Sequence, residues 1–322
     1  MLRSTLLAHR IEGRSGNIVL ERNDRYLEGI LSEDVVSSPY SSITLLGKPL
    51  VIYNLEKLRE SYGSIHRLSI PAGMSPVANQ IAEFFPNFQV DEYSDSSKIT
   101  EDDALKIPLN SVLIKSRDGE CAASQIVYPW DILNAMEYVL DTEVKTSNIS
   151  KDASIESGSV ISGPCIIESG VFIDNFCKIK GPAYIGKDCK IGTGSLVRNS
   201  MLSNNCTIGF SCEVARSYVA AHDTFPHYDA ILDSVVGEHT WMGGYVAITN
   251  VMLNNKEVKY KIDGKLIGTG LFHFGAVVGH HSTIGAGVVI LPGRFMPPRS
   301  FIPPHVLFSS TDQQQPAGPR MG

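Results

Sequence analysis

From Ile155 an aliphatic residue recurs at every sixth position: Ile155, Ile161, Ile167, Ile173, Ile179, Ile185, Ile191 and Val197. The phase slips by one residue and resumes at Leu202, Ile208 and Val214, then at Val236, Met242 and Ile248, then at Val278, Ile284, Ile290, Met296 and Ile302. Four residues after each aliphatic stands a mostly small side chain, as at Ser159, Cys165, Val171, Cys177, Ala183, Cys189 and Ser195. Each hexapeptide predicts one short strand and one turn, and three of them one triangular coil with its aliphatic residues pointing inward. No coil buries its inner face alone, so such a chain is stable only when coils stack. The expected fold is mainly β: a left-handed parallel β-helix over residues 146–307. A small α/β domain over 1–145 precedes it, and a flexible tail over 308–322 follows.

Residues 219–230 and 249–276 leave the hexapeptide phase. They read as loops extruded from a rigid solenoid, the usual seat of binding and catalysis. The repeat also accounts for Cys165, Cys177, Cys189, Cys206 and Cys212, which occupy its small position and read as buried small hydrophobes. No CxxC pair occurs, so neither a zinc knuckle nor a redox motif is indicated.

The net charge of −6 argues against a nucleic-acid or anionic-membrane binder. No apolar run reaches the roughly 20 residues that cross a bilayer, so the expected location is the cytoplasm. Before residue 146 the chain reads as α/β, with a helix over 50–60 and strands over 67–71 and 111–116. Ser75 is expected to cap a helix that has Pro76 at its first position and Val77, Ile81 and Phe84 on one face. A turn is expected at Asp118-Gly119, and a third helix over 130–140. GRSG at 13–16 is the nearest approach to a phosphate cradle, and it reads as a turn.

Four stretches together carry a family resemblance: GKPLVIYNLEKL (47–58), YPWDILNAMEYVL (128–140), FPHYDAILDSVVGEHTWMGG (225–244), and NNKEVKYKIDGKLIGTG (254–270) with FGAVVGHHSTIGAGVVILPG (274–293). They resemble the archaeal-type bifunctional sugar-1-phosphate nucleotidylyltransferases fused to a β-helix N-acetyltransferase, relatives of the bacterial enzyme that makes UDP-N-acetylglucosamine. The family's G-x-G-T-R nucleotidyl loop has no counterpart here and the front domain is shortened. The resemblance therefore implies acetyl transfer and no nucleotidyl transfer.

In that light His227 falls on the general base, Asn250 on the active-site Asn, and Lys256 and Lys259 on two loop lysines. Arg198 falls on the arginine that holds the sugar phosphate. Where the family has a lysine this chain has Ala215, with Arg216 beside it. Where it has a tyrosine this chain has Ala230, with Tyr228 the nearest substitute. Leu271 and Phe272 stand where basic residues are paired. The implied cosubstrate is acetyl-CoA, the acceptor glucosamine-1-phosphate or galactosamine-1-phosphate, and the assembly a homotrimer. No metal is required.

Two rival readings stand beside this one. His222 and His227 have the H-x4-H spacing of β-helical zinc enzymes, but no third histidine lies upstream within the repeat. A regulatory or scaffolding paralogue without turnover would keep the same fold.

Overall fold

The computed structural model describes residues 8–10, 17–21, 43–62, 67–94, 105–108, 110–115 and 121–309. The GRSG segment, the Asp118-Gly119 turn and the chain beyond 309 lie outside the described residues.

Three parallel eight-stranded sheets form the faces of a left-handed prism. The first face runs from Asn148–Ile149 to Arg294–Met296, the second from Ser154–Ile155 to Phe301–Ile302, and the third from Val160–Ser162 to Leu307–Phe308. Consecutive strands visit the faces in turn, so every third strand pairs with its predecessor. Ile167, Ile185 and Leu202 thus lie in register on the first face, and Ile179, Val197 and Val214 on the third. These side chains point inward and are 0–1% exposed, which makes a continuous apolar column the main stabilising element. The corners are called here first (first to second face), second (second to third) and third (third back to first).

Residues 219–230 are not a loop. Val219, Phe225 and Ile231 fill three successive inward positions and are fully buried, and Thr224–His227 pairs in parallel with Thr207–Phe210. The phase was lost for two physical reasons. Phe225 does the work of an aliphatic, and the coils here are 17 residues long, so the register slips once per coil. Each slip falls at the third corner, where Asn199, Arg216 and Asp233 turn the chain at φ 49°, 48° and 47°. A buried serine ladder closes this tighter corner. Ser200 Oγ accepts the Ser217 N–H at 3.1 Å, Ser217 Oγ that of Ser234 at 3.1 Å, and Ser234 Oγ that of Ala276 at 3.1 Å. Three buried backbone donors are thereby met by side-chain oxygens.

The excursion after residue 248 is real. It contains an antiparallel hairpin, Lys259–Ile262 with Lys265–Gly268, which folds back toward the first face. That face carries an outward apolar stack of Tyr184, Met201, Tyr218, Val235 and Val277, in register coil by coil. Val258, Tyr260, Leu271 and Phe274 of the excursion cover it together with Trp130 and the helix that follows. Trp130 stacks on Tyr128 at 4.5 Å and meets Tyr260 edge-on at 5.2 Å.

In front lies a parallel sheet in the order Gln89–Tyr93, Arg67–Pro71, Asn17–Glu21, Leu105–Pro108. Helices α1 (Leu50–Tyr62) and α2 (Ser75–Phe84) pack on it around Ile18, Leu68 and Ile107. The cap expected at Ser75 is not there. Met74 is the N-cap and makes no side-chain bond, and Ser75 is already helical with Pro76 behind it. Helix α3 (Asp131–Glu143) joins the two parts, and its first carboxylate, Asp131, accepts the N–H of Val127 at 3.0 Å and of Tyr128 at 2.8 Å. Thr44 docks the front part onto the prism by donating its N–H to the Tyr218 hydroxyl at 2.9 Å. No helix among the described residues is long and apolar enough to cross a membrane.

Candidate functional site

His227 ends the strand Thr224–His227 on the second face, in register with Phe210, and its ring is exposed at the second corner. Its carbonyl accepts the Tyr245 N–H at 2.9 Å, and Gly244 lies so close that a Cβ there would sit 3.5 Å from the His227 Cβ. Tyr228 turns the corner at φ 56° and stacks on Tyr245 at 4.8 Å, with Phe210 edge-on at 5.2 Å. Tyr228 therefore stands on the corner, away from Ala230, which lies on the third face in register with Glu213 and Ala247.

Behind His227, pointing inward, is Asp229, which is 1% exposed. It occupies the small position that Cys177, Ser195 and Cys212 fill in earlier coils. Its Oδ1 accepts the Val246 N–H at 2.8 Å, its carboxylate is also bonded by the His227 backbone, and the Cys212 thiol lies at 3.9 Å. Burial pushes its carboxyl up to about 6. Sequence reasoning passed over this residue, although an acidic side chain in a small inward position of the repeat was a readable signal.

A group whose folded pKa is raised stabilises the fold while it is protonated. Asp229's contribution is complete below the unfolded value of about 3.9 and is lost as pH rises through 6. Asp229→Asn should therefore match the parent near pH 4 and exceed its stability at pH 7 by roughly 2–3 kcal/mol. Urea unfolding at the two pH values checks this; a variant weaker than the parent at pH 7 would contradict it.

The remaining expected residues gather at the third corner. Arg198 places Nε and Nη2 on Glu213 Oε1 at 3.0 and 2.9 Å. Arg216 forks onto Asp233 at 2.8 and 2.5 Å, and Asn250 Nδ2 donates to Asp233 Oδ2 at 2.6 Å. Asp233 is fully buried, and its hydrogen bonds raise the Arg216 pKa further above its ordinary value. A cavity of about 220 Å³ opens here between α3 and the prism, lined by Asn134, Glu137, Asp141, Asn199, Arg216 and Leu271. Lys256 and Lys259 are exposed on the excursion, and Leu271 is buried while Phe272 is exposed.

Within one chain the structure thus joins Arg216 to Asn250 through Asp233. It does not bring His227 to them, because the strand Ala230–Leu232 separates the two corners. His222 and His227 also stand on different corners, and His222 stacks on His239 at 4.7 Å. Among the described residues no group of three or more His, Cys, Asp or Glu side chains is placed to hold a metal ion.

A family profile described as the GMPPB C-terminal domain matches residues 141–267. A Sulfurisphaera tokodaii protein named bifunctional sugar-1-phosphate nucleotidylyltransferase/acetyltransferase is 30% identical over 241 residues, covering 74% of this chain and 59% of the relative. A Methanococcus aeolicus protein named bifunctional protein GlmU is 31% identical over 260 residues, covering 80% of this chain and 61% of the relative. An Escherichia coli K12 protein named putative uncharacterized acetyltransferase YaiX is 32% identical over 108 residues, covering 34% and 47%. The chain spans less than two thirds of the length of each of these relatives.

Proposed function

The chain is a relative of the archaeal bifunctional sugar-1-phosphate nucleotidylyltransferase/acetyltransferases, and on that premise we propose that it is an acetyl-CoA-dependent N-acetyltransferase acting on an amino-sugar-1-phosphate. The observation that carries this reading is His227: an exposed imidazole at the end of a rigid strand, its backbone held by Asp229 behind it and by Tyr245 beside it. In the proposed reaction an imidazole nitrogen of His227 takes a proton from the acceptor amine as nitrogen attacks the thioester carbonyl. The N–C bond forms, the C–S bond breaks, and the departing thiolate of coenzyme A takes up a proton. Such a step requires a base near neutral pKa and donors to the oxyanion. Asn250 and the third-corner cations stand on the opposite edge of the third face from His227. We therefore propose a homotrimer in which the His227 corner of one copy meets the third corner of the next.

The test is release of free thiol from acetyl-CoA with glucosamine-1-phosphate and galactosamine-1-phosphate, together with light scattering at micromolar concentration. Thiol release with either sugar and a trimeric mass are expected; absence of both would sink the reading. Pyrophosphate release from UTP or dTTP with a hexose-1-phosphate is expected to be absent, on the ground that no G-x-G-T-R loop occurs in the sequence.

One observation favours a second reading. Arg198 and Arg216 already spend their charge on Glu213 and Asp233, and Ala215 and Ala230 replace functional side chains, as in a scaffolding paralogue. Acetyl-CoA should raise the melting temperature of an enzyme and leave that of a pure scaffold unchanged.

A further inference from the structure

The acceptor side of the reading above can be narrowed. Between residues 203 and 252 the sequence contains one arginine and no lysine, and that arginine, Arg216, is bound to a fully buried carboxylate one corner away from His227. What surrounds His227 is aromatic. Phe210, Tyr228 and Tyr245 are 42%, 45% and 64% exposed, in successive coils at the same corner. Tyr228 and Tyr245 stack on each other, so the open ring face is the side of Tyr245 away from Tyr228. In the next coil the corner position is Gly287, at φ 70°, and in the coil after that it is His305. A glycine there leaves no side chain against Tyr245. The His305 ring leans toward the gap, since a Cβ on Gly287 would meet its Nδ1 at 2.6 Å. The result is an opening with an aromatic ceiling, a glycine back wall and an imidazole floor. It is tied to the base, because the Tyr245 N–H donates to the His227 carbonyl.

We propose that this opening is the acceptor's ring subsite: a hexosamine is held by its apolar ring face against Tyr245, with His305 meeting a hydroxyl. The inference rests on the acetyl-transfer reading for its chemistry, but the subsite itself is readable without turnover. Tyrosine suits the role because its ring gives a rigid apolar face beside a polar tip. A coenzyme A adenine is disfavoured as the occupant. The pantetheine arm holds adenine far from the thioester, whereas this ledge adjoins the residue that receives the proton. A phosphate is disfavoured as the occupant of this opening because the same copy's one cation between residues 203 and 252, Arg216, is bound to Asp233.

The experiment uses the full chain and two probes, methyl glucosaminide and glucosamine-1-phosphate. Saturation-transfer NMR should show the sugar ring protons of methyl glucosaminide in contact with the protein. Tyr245→Ala should abolish that signal and Tyr245→Leu should weaken it, with melting temperatures unchanged. With acetyl-CoA, the two variants should raise KM for both sugars roughly 10-fold, the scale of one aromatic contact, and leave kcat little altered. A sugar signal that persists undiminished in Tyr245→Ala would overturn the proposal. So would transfer to adenine protons of acetyl-CoA that is lost in Tyr245→Ala, or a change of oligomeric mass in that variant, which would make the aromatics a contact between copies. A Tyr245-dependent sugar signal without thiol release would uphold the subsite and defeat acetyl transfer.

Discussion

Replacing His227 with alanine is expected to lower kcat for acetyl transfer by roughly 10²–10⁴-fold, the usual contribution of a general base. In the proposed reaction the neutral acceptor amine must shed a proton as its nitrogen attacks the thioester. His227 is an exposed imidazole at the second corner, and its place is fixed from three sides. Its strand is paired with Thr207–Phe210, its carbonyl receives the Tyr245 N–H, and its backbone bonds the buried Asp229. KM should change little, because a proton relay acts mainly in the transition state. The fold should be unaffected, since the side chain is exposed. Thiol release under saturating sugar measures the effect, and urea unfolding controls for it. A drop smaller than about 10-fold would assign the proton transfer to another group. Asn250→Ala offers a contrast. It removes a donor to Asp233 as well as any contact with a ligand, so it should disturb stability and KM together.

The β-helix was legible because its period is the fold. Every aliphatic from Ile167 onward that keeps the six-residue phase points into the column, and the five cysteines of the repeat are buried there as small residues. The misreading of 219–230 has the same root. A count restricted to aliphatics passes over Phe225, and a coil of 17 residues breaks a strict period of six, although the inward stack continues without a gap. That error placed His227 on a loop, whereas a strand terminus holds it more rigidly. Arg198 and Arg216 were visible as cations, but their ion pairs were not, because Glu213 and Asp233 lie a whole coil away in sequence. Asp229 went unnoticed for a related reason. Its importance comes from pointing inward, and only the register of the coil reveals that. Tyr228 was offered in place of Ala230 on proximity in sequence, yet a corner lies between them and sends the two side chains to different surfaces.

Asp233→Ala should be the most destabilising single substitution at the site, by about 3–5 kcal/mol, the cost of breaking a buried ion pair from one side. Asp233 is fully buried, accepts both arms of Arg216 and the amide of Asn250, and turns the corner at φ 47°. Alanine removes the acceptor for three donors. Asparagine tolerates that backbone and keeps one acceptor, so Asp233→Asn should cost less than Asp233→Ala. Arg216→Ala should also be costly, because it takes the guanidinium partner away from a buried carboxylate. The double variant Asp233→Ala/Arg216→Ala should then recover part of the loss, because no unpaired charge remains. Urea midpoints of the four proteins decide the matter, and additive losses would show that the pair is not coupled. The same series bears on ligands. Arg216 in Asp233→Asn is released from its carboxylate, so inorganic phosphate should raise the melting temperature of that variant more than that of the parent. Equal effects would mean that the corner's charge was never what kept anions away.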